Sequence, residues 1–214
     1  MSTPDPTQET LERLERAEQL KLDGSHEEAL IILEELLIED PENVSALEEI
    51  ADNELSLGHF DRAETAATEA VALDPDSYTG YYILGFLRSR EEKWEHALSM
   101  LRLSNKLRSS NPEILRCLGW ALFHAGQRVQ GVVTLERALN LDPDSTLTLC
   151  DLGVAYLQMQ HFEKAKALFV RVLDLEPDNL RAKECIQAVE RLVKFVKSGQ
   201  VRQVKKKEKI GAAR

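Results

Sequence analysis

The side chains best able to do chemistry are the histidines and cysteines, and neither set is arranged for catalysis. The five histidines are spread along the chain without a recurrent Ser, Cys or carboxylate partner: His26, His59, His96, His124 and His161. Nucleophilic and acid–base catalysis need such partners within hydrogen-bonding reach. Neighbouring carboxylates such as Glu34 and Glu35 are most simply solvated helix faces, and the sequence contains no Gly-rich phosphate loop. We therefore expect a protein without catalytic residues, not an enzyme.

The three cysteines are Cys117, Cys150 and Cys185, an odd number without CxxC spacing. This pattern favours reduced thiols over a disulfide framework or a zinc site. A row of thiols on successive repeats is the remaining alternative. We expect no bound metal and no cofactor.

Charge is distributed unevenly along the chain, whose formal net charge is −10. Residues 10–77 hold 20 acidic and 4 basic side chains, a net charge of −16, whereas residues 194–214 hold 8 basic and one acidic, a net charge of +7. Because non-specific nucleic-acid binding needs a basic face, this acidic body argues against it, and no nucleic-acid partner is expected. The basic tail is better suited to an acidic protein surface, a membrane phosphate or the acidic end of a neighbouring copy.

Membrane and export signals are also lacking. No stretch approaches the roughly 18 uninterrupted apolar residues of a membrane span, and the N-terminus lacks the basic-then-apolar order of a signal peptide. The sequence predicts a cytoplasmic protein.

A 34-residue period organises the chain. Pro41, Pro75, Pro143 and Pro177 are separated by 34, 68 and 34 residues, and Ser109 stands where the missing proline would fall. At each of these sites the proline and the acidic residue before it end one helix and set the backbone for the next. At the end of the third repeat, where Ser109 replaces the proline, Asn111 supplies an N-cap and Pro112 a first helical residue, which keeps the register. The period indicates a helix-turn-helix repeat.

Counting back from each proline gives five repeats at 10–43, 44–77, 78–111, 112–145 and 146–179. The fifth carries the fullest consensus, with Leu149, Leu152, Gly153, Tyr156, Ala165, Phe169 and Pro177. In this respect the sequence resembles the tetratricopeptide-repeat (TPR) family. The resemblance implies an all-α, right-handed α-solenoid of about five repeats, in which the first helix of each pair lines the concave face.

Three segments lie outside the regular repeats, and one glycine within the repeats is expected to weaken its helix. Residues 1–9 form an N-terminal tail and helix cap, and residues 180–197 an amphipathic helix that covers the last repeat. Residues 198–214 are basic and poor in apolar side chains, so we expect them to be disordered in isolation. Within the repeats, Gly131 should weaken its helix, and Gly131→Ala should stabilise it by up to about 1 kcal/mol if the site is an ordinary helix interior.

Candidate binding residues follow from the helical period. In each first helix, positions 4, 7, 8 and 11 form the buried stripe, so positions 2, 5, 6, 9, 12 and 13 point largely to the groove. These positions place aromatic side chains on consecutive middle repeats and acidic ones on the second. The predicted partner site therefore comprises Tyr82, Phe86, Arg90, Arg116, Trp120, Phe123 and Val154, with Glu49 and Asp52 at the acidic end. A competing interpretation is that some of the aromatics pack between repeats.

The predicted groove surface indicates what kind of partner the protein binds. TPR members with a carboxylate clamp grip acidic peptide ends through Lys and Asn in their first repeats, but here Glu18 and Glu49 occupy such positions. We expect a scaffold or adaptor that binds a partly apolar protein segment, peptide or helix in the groove. The alternative is a chaperone of exported subunits, similar to the TPR chaperones of type III secretion, although those usually have fewer repeats. A homo-oligomer is also compatible with the sequence.

Overall fold

The computed structural model describes residues 6–211, with the side chains of residues 7–196 and 198, and this part of the chain consists of helices joined by short turns, without strands. The first helices of the five repeats are α1 (Pro6–Leu22), α3 (Val44–Leu57), α5 (Tyr78–Arg90), α7 (Pro112–His124) and α9 (Thr146–Gln158). The second helices are α2 (His26–Glu39), α4 (Phe60–Leu73), α6 (Trp94–Leu107), α8 (Arg128–Leu141) and α10 (Phe162–Leu175). A last helix, α11, spans Leu180–Gly211. The predicted five helix pairs and capping helix are confirmed.

Two periodic turns join the helices. The last residue of each repeat caps the next first helix, and its side-chain oxygen accepts a hydrogen bond from a backbone N–H in the first turn: Asn43, Ser77, Asn111, Ser145 and Asn179. Such caps satisfy helix N–H groups that have no partner within the helix. Because Asn111 caps α7 directly before Pro112, the absence of the third proline leaves the register intact.

The turn within each pair uses a left-handed backbone conformation once per repeat. The residues with positive φ in these turns are spaced 34 residues apart: Gly24, Gly58, Glu92, Gly126 and Gln160. Glycine adopts this conformation without a steric penalty, whereas in Glu92 and Gln160 the Cβ atom makes it unfavourable. The tight reversal lets the two helices of a pair lie side by side.

The core extends along the array as four clusters of buried residues. Buried alanines and leucines of each pair pack against the next pair, and Phe169, Leu33, Leu98 and Leu135 are among the fully buried side chains. The last helix contacts α9 and α10, with Ala182 and Val189 buried. It therefore covers repeat five as a sixth first helix would.

The last helix runs past the predicted boundary at residue 197. In the structure α11 ends at Gly211, whereas the expectation that the basic segment 198–214 is disordered in isolation stays a prediction. The sequence after Pro177 contains no further proline and is rich in Lys, Arg and Gln, which are good helix formers. At the other end α1 begins at Pro6, within the predicted tail 1–9, and residues 1–5 of that tail lie outside the described residues.

Two kinds of feature are absent from the described part of the chain. No helix there is long and apolar enough to cross a membrane. No group of His, Cys, Asp and Glu within the same residues is placed to hold a metal ion.

Candidate partner-binding groove

The first helices form the inner surface of the array. Each first helix contacts the first helix of the next repeat, whereas second helices of consecutive repeats do not contact one another within residues 6–211. The array therefore curves towards its first helices. Their side chains that are not used in packing face a common groove.

Helical position decides which side chains reach this groove. The ninth residues of the third, fourth and fifth first helices, Phe86, Trp120 and Val154, are all partly exposed. The sixth residues were also assigned to the groove, but Ile83 is 0% and Cys117 4% exposed. Ile83 and Cys117 pack between neighbouring first helices, so the assignment of these two residues to the open groove was wrong, whereas Glu49 at the sixth position of α3 stays partly exposed.

Phe123 is a second correction. Its side chain is only 2% exposed and packs with Leu152, Ala155 and Tyr156 of α9. The face of α7 that carries Phe123 is covered by the fifth repeat, as the competing interpretation proposed. The Arg128 guanidinium lies 5.8 Å from the Phe123 ring centroid, where other repeats place an aromatic residue. Phe123 therefore belongs to the core, and Val154 packs partly buried against the same cluster.

Four predicted residues meet at one pocket of about 220 Å³ in the middle of the groove. Phe86 and Trp120 supply its aromatic walls, and Arg90 and Arg116 contribute charge. Its complete lining is Phe86, Ser89, Arg90, Arg116, Cys117, Trp120, Asp151 and Arg181. Side chains from α5, α7, α9 and α11 thus converge on a single cavity.

A polar network that crosses three repeats lies beside this pocket. The Tyr82 hydroxyl donates to Glu113 Oε1 at 3.0 Å, and Arg116 donates through Nε to Glu113 Oε2 at 2.9 Å. Arg116 Nη1 donates to Asp151 Oδ2 at 2.7 Å, and the Arg116 side chain is only 11% exposed. Arg116 is therefore held by two carboxylates and joins α7 to α9.

Burial governs the protonation of this network. It raises the pKa of the Tyr82 phenol well above its usual range. Burial alone would raise the pKa of Glu113 as well, but the hydrogen bonds from Arg116 and Tyr82 hold it below its ordinary value. Burial also raises the pKa of the Cys117 thiol, so Cys117 is an uncharged thiol at neutral pH and a poor nucleophile.

The two other arginines at the pocket are differently placed. Arg90, the last residue of α5, is exposed, and its guanidinium carbon lies 3.3 Å from the Phe60 ring centroid. Such stacking restricts the side chain without neutralising its charge. Arg181, near the start of α11, is exposed and makes no ion pair with any described residue. Both cations are available at the pocket.

Trp120 is partly exposed and packs against His124, with ring centroids 4.2 Å apart. His124 also stacks on Trp94 at 4.9 Å, and its Nε2 is buried without a hydrogen-bond partner among the described residues. Burial lowers the pKa of His124. Trp94 is the first residue of α6, at the end of the hairpin, and is partly exposed.

The acidic residues predicted for the second repeat lie apart from this pocket. Glu49 Oε2 is 2.7 Å and Asp52 Oδ2 3.0 Å from Lys21 Nζ of α1. Both are partly buried and partly neutralised by this lysine. They remain candidates for partner contact at the N-terminal end of the groove.

The sequence prediction missed one residue of the pocket. Arg181 was included only in the capping helix, and no role in binding was assigned to it. The 34-residue repeat, extended past residue 179, could have identified Arg181. Residue 181 is the second position of a sixth first helix, where groove residues are expected.

Comparisons with known proteins agree with this architecture. Two tetratricopeptide-repeat family models match residues 122–187 and 48–87. A crystal structure of a thermophilic TPR protein from Thermus thermophilus aligns with a TM-score of 0.66 at 25% identity, covering 84% of this chain and 98% of that one.

Two curated relatives are longer proteins. The cytochrome c-type biogenesis protein CycH of Pseudomonas aeruginosa is 29% identical over 55% of this chain and 30% of its own length. The peroxisomal targeting signal receptor of Saccharomyces cerevisiae is 26% identical over 71% of this chain and 26% of its own length. This chain thus spans less than a third of either relative. The repeat matches, the solenoid structure and the aligned TPR structure together show that the chain belongs to the tetratricopeptide-repeat family, whose fold is a protein–protein interaction scaffold.

Proposed function

We propose that this protein acts as a scaffold or adaptor that holds a partly apolar segment of a partner protein in its concave groove. The observation that carries the proposal is the pocket between Phe86 and Trp120. Two large aromatic side chains remain partly exposed there, on consecutive first helices whose other apolar residues are largely buried. Aromatic residues in a concave site are the usual anchors of protein interfaces.

The site is also preorganised. Arg116 is fixed by Glu113 and Asp151, and Arg90 is stacked on Phe60, so little side-chain freedom is lost when a ligand binds. One of the relatives is named as a receptor for a targeting signal, which supports recognition of a peptide segment by this kind of array. The proposed role is binding, and no catalytic step is assigned to the groove.

The test is peptide selection against the full chain, for example by panning a random phage-displayed library and measuring the affinity of the enriched peptides. Trp120→Ala should weaken their binding by about 2 kcal/mol or more, as expected for an aromatic anchor. Phe195→Ala is the matched control, because Phe195 is an aromatic residue that is 75% exposed on α11 and does not line the pocket.

Each variant must first be shown to be folded, by far-UV circular dichroism and thermal unfolding. Enriched peptides that bind Trp120→Ala and wild type equally would place the binding surface elsewhere and refute the proposal. Loss of folding in Trp120→Ala with unchanged affinity per folded molecule would show that Trp120 is a core residue.

A further inference from the structure

The pocket between Phe86 and Trp120 has a charge pattern that restricts what it can accept, and this inference rests on the proposed groove function. Its aromatic walls suit an apolar side chain, since apolar cavities bind apolar groups. Three arginines and one aspartate line it, so its lining carries excess positive charge. An apolar group and an anionic group are therefore expected together.

The three arginines are not equivalent. Arg116 already donates to Glu113 and to Asp151 and is 11% exposed, so it has little capacity left for a ligand. Breaking the contact to Asp151, which is only 8% exposed, would leave a buried carboxylate without this partner. Arg116 is thus a positioning residue that holds α7 and α9 together beneath the pocket.

Neither Arg90 nor Arg181 forms an ion pair with a described residue, although the charge of Arg181 also acts on Asp151. Arg90 stacks on the Phe60 ring and makes no hydrogen bond or ion pair with the described residues, so its N–H donors can bind an anion. Arg181 has no ion-pair partner among the described residues. Its position is set by the start of α11, where Asn179 Oδ1 accepts a hydrogen bond from Ala182 N at 2.9 Å and Ala182 is fully buried. The cap of the solenoid therefore supplies one side of the pocket.

We infer that the pocket recognises a peptide segment in which an apolar side chain enters between Phe86 and Trp120 and an adjacent carboxylate is bound by Arg90 and Arg181. Guanidinium groups bind carboxylates through short, charge-assisted hydrogen bonds, which supply specificity that the aromatic walls lack. This site differs from a clamp in the first repeats, where Glu18 and Glu49 would repel an acidic group.

The carboxylate can come from a peptide C-terminus or from an Asp or Glu side chain, and probes of equal length distinguish the two sources. Four fluorescein-labelled octapeptides serve as probes: GSGSGSGF with a free C-terminus, the same peptide amidated, amidated GSGSDFGS and amidated GSGSNFGS. Binding to the full chain is measured by fluorescence anisotropy at low salt. Tighter binding of free GSGSGSGF than of its amidated form would identify the ligand carboxylate as a C-terminus. Tighter binding of GSGSDFGS than of GSGSNFGS would identify it as an acidic side chain.

The expected result is that at least one anionic probe binds about tenfold or more tightly than its neutral counterpart, the size of a charge-assisted contact. Arg90→Gln and Arg181→Gln should each remove most of that gain and leave the neutral probes unchanged. Arg137→Gln is the control, because Arg137 is an exposed arginine on α8 outside the pocket. Trp120→Ala should weaken anionic and neutral probes alike.

The outcomes separate this inference from the groove proposal. Equal affinity for anionic and neutral probes, with both lost in Trp120→Ala, would overturn the carboxylate assignment and leave apolar binding in the groove intact. Equal losses in Arg90→Gln, Arg181→Gln and Arg137→Gln would show only a general charge effect and would also overturn the inference. If no probe binds, or binding survives in Trp120→Ala, both proposals fail.

Discussion

At the scale of single residues, the fourth repeat shows how closely two helices can approach when both contribute glycine. Gly119 of α7 and Gly131 of α8 face each other, and a Cβ atom built on Gly131 would lie 2.6 Å from Phe123 N and 2.8 Å from Gly119 O. These are backbone atoms, which cannot move aside as the end of a flexible side chain can. The site is therefore not the ordinary helix interior that the sequence suggested.

Gly131→Ala should consequently destabilise the protein rather than stabilise it. The gain in helix propensity is about 1 kcal/mol, whereas forcing a methyl group into a packed interface typically costs about 1–3 kcal/mol. The free energy of unfolding in urea measures the balance. A more stable Gly131→Ala protein would show that α7 and α8 separate without cost.

The Arg116–Asp151 pair gives a second prediction for single residues. Arg116→Met should destabilise the protein by about 3–5 kcal/mol, because it leaves Asp151, only 8% exposed, without its cation. The double variant Arg116→Met, Asp151→Leu should recover much of this loss, since it removes both buried charges. If the double variant is as unstable as Arg116→Met, the loss comes from packing of the arginine stem rather than from the unpaired carboxylate.

At the scale of elements, the hairpins differ in the residue that makes their turn. Gln160 adopts a φ of +61° between α9 and α10, where Gly126 adopts +88° between α7 and α8. A side chain in this region costs about 1 kcal/mol, which glycine avoids. The turn between α9 and α10 therefore holds backbone strain that glycine would relieve.

Gln160→Gly should raise the free energy of unfolding by up to about 1 kcal/mol. The reverse substitution, Gly126→Ala, should lower the free energy of unfolding by a similar amount. An added Cβ at Gly126 would have no atom within 4 Å, so the effect comes from backbone conformation alone. Thermal and urea unfolding of both variants provide the measurement. Two changes of the same sign would contradict this account of the turns.

At the scale of the whole molecule, α11 both completes the core and closes the pocket. Ala182 and Val189 are buried against repeat five, whereas Leu192 and Phe195 further along α11 are 42% and 75% exposed. The helix therefore covers the array with its first half. Stability in such arrays is approximately a sum of repeat and interface terms, and an end without a cap exposes apolar surface.

Deleting residues 180–214 should therefore lower the unfolding temperature and cause aggregation, and the exposed face of α9 and α10 should bind a hydrophobic dye. Deleting only residues 198–214 is the control, because it retains Ala182, Val189 and Arg181 and should leave the unfolding temperature nearly unchanged. Size-exclusion chromatography and calorimetry of the two truncations separate these expectations. An undiminished unfolding temperature in the longer truncation would show that repeat five needs no cap.

The sequence by itself determined the repeat architecture of this protein. Pro41, Pro75, Pro143 and Pro177 set the period, and cap residues such as Asn111 fixed where helices begin, because these signals act through local backbone chemistry. A period of 3.6 residues also indicated which face of each first helix is buried. The aromatic groove residues Phe86 and Trp120 followed from that face.

The tertiary structure alone decided which of those residues remain accessible. Phe123 and Trp120 lie three residues apart on one helix, yet α9 buries the first and leaves the second partly exposed. The close approach at Gly131 and the arrival of Arg181 at the pocket likewise depend on how neighbouring elements pack. The physical reason is that helical periodicity defines a direction around one helix, whereas coverage depends on side-chain volumes and contacts contributed by residues far away in the sequence.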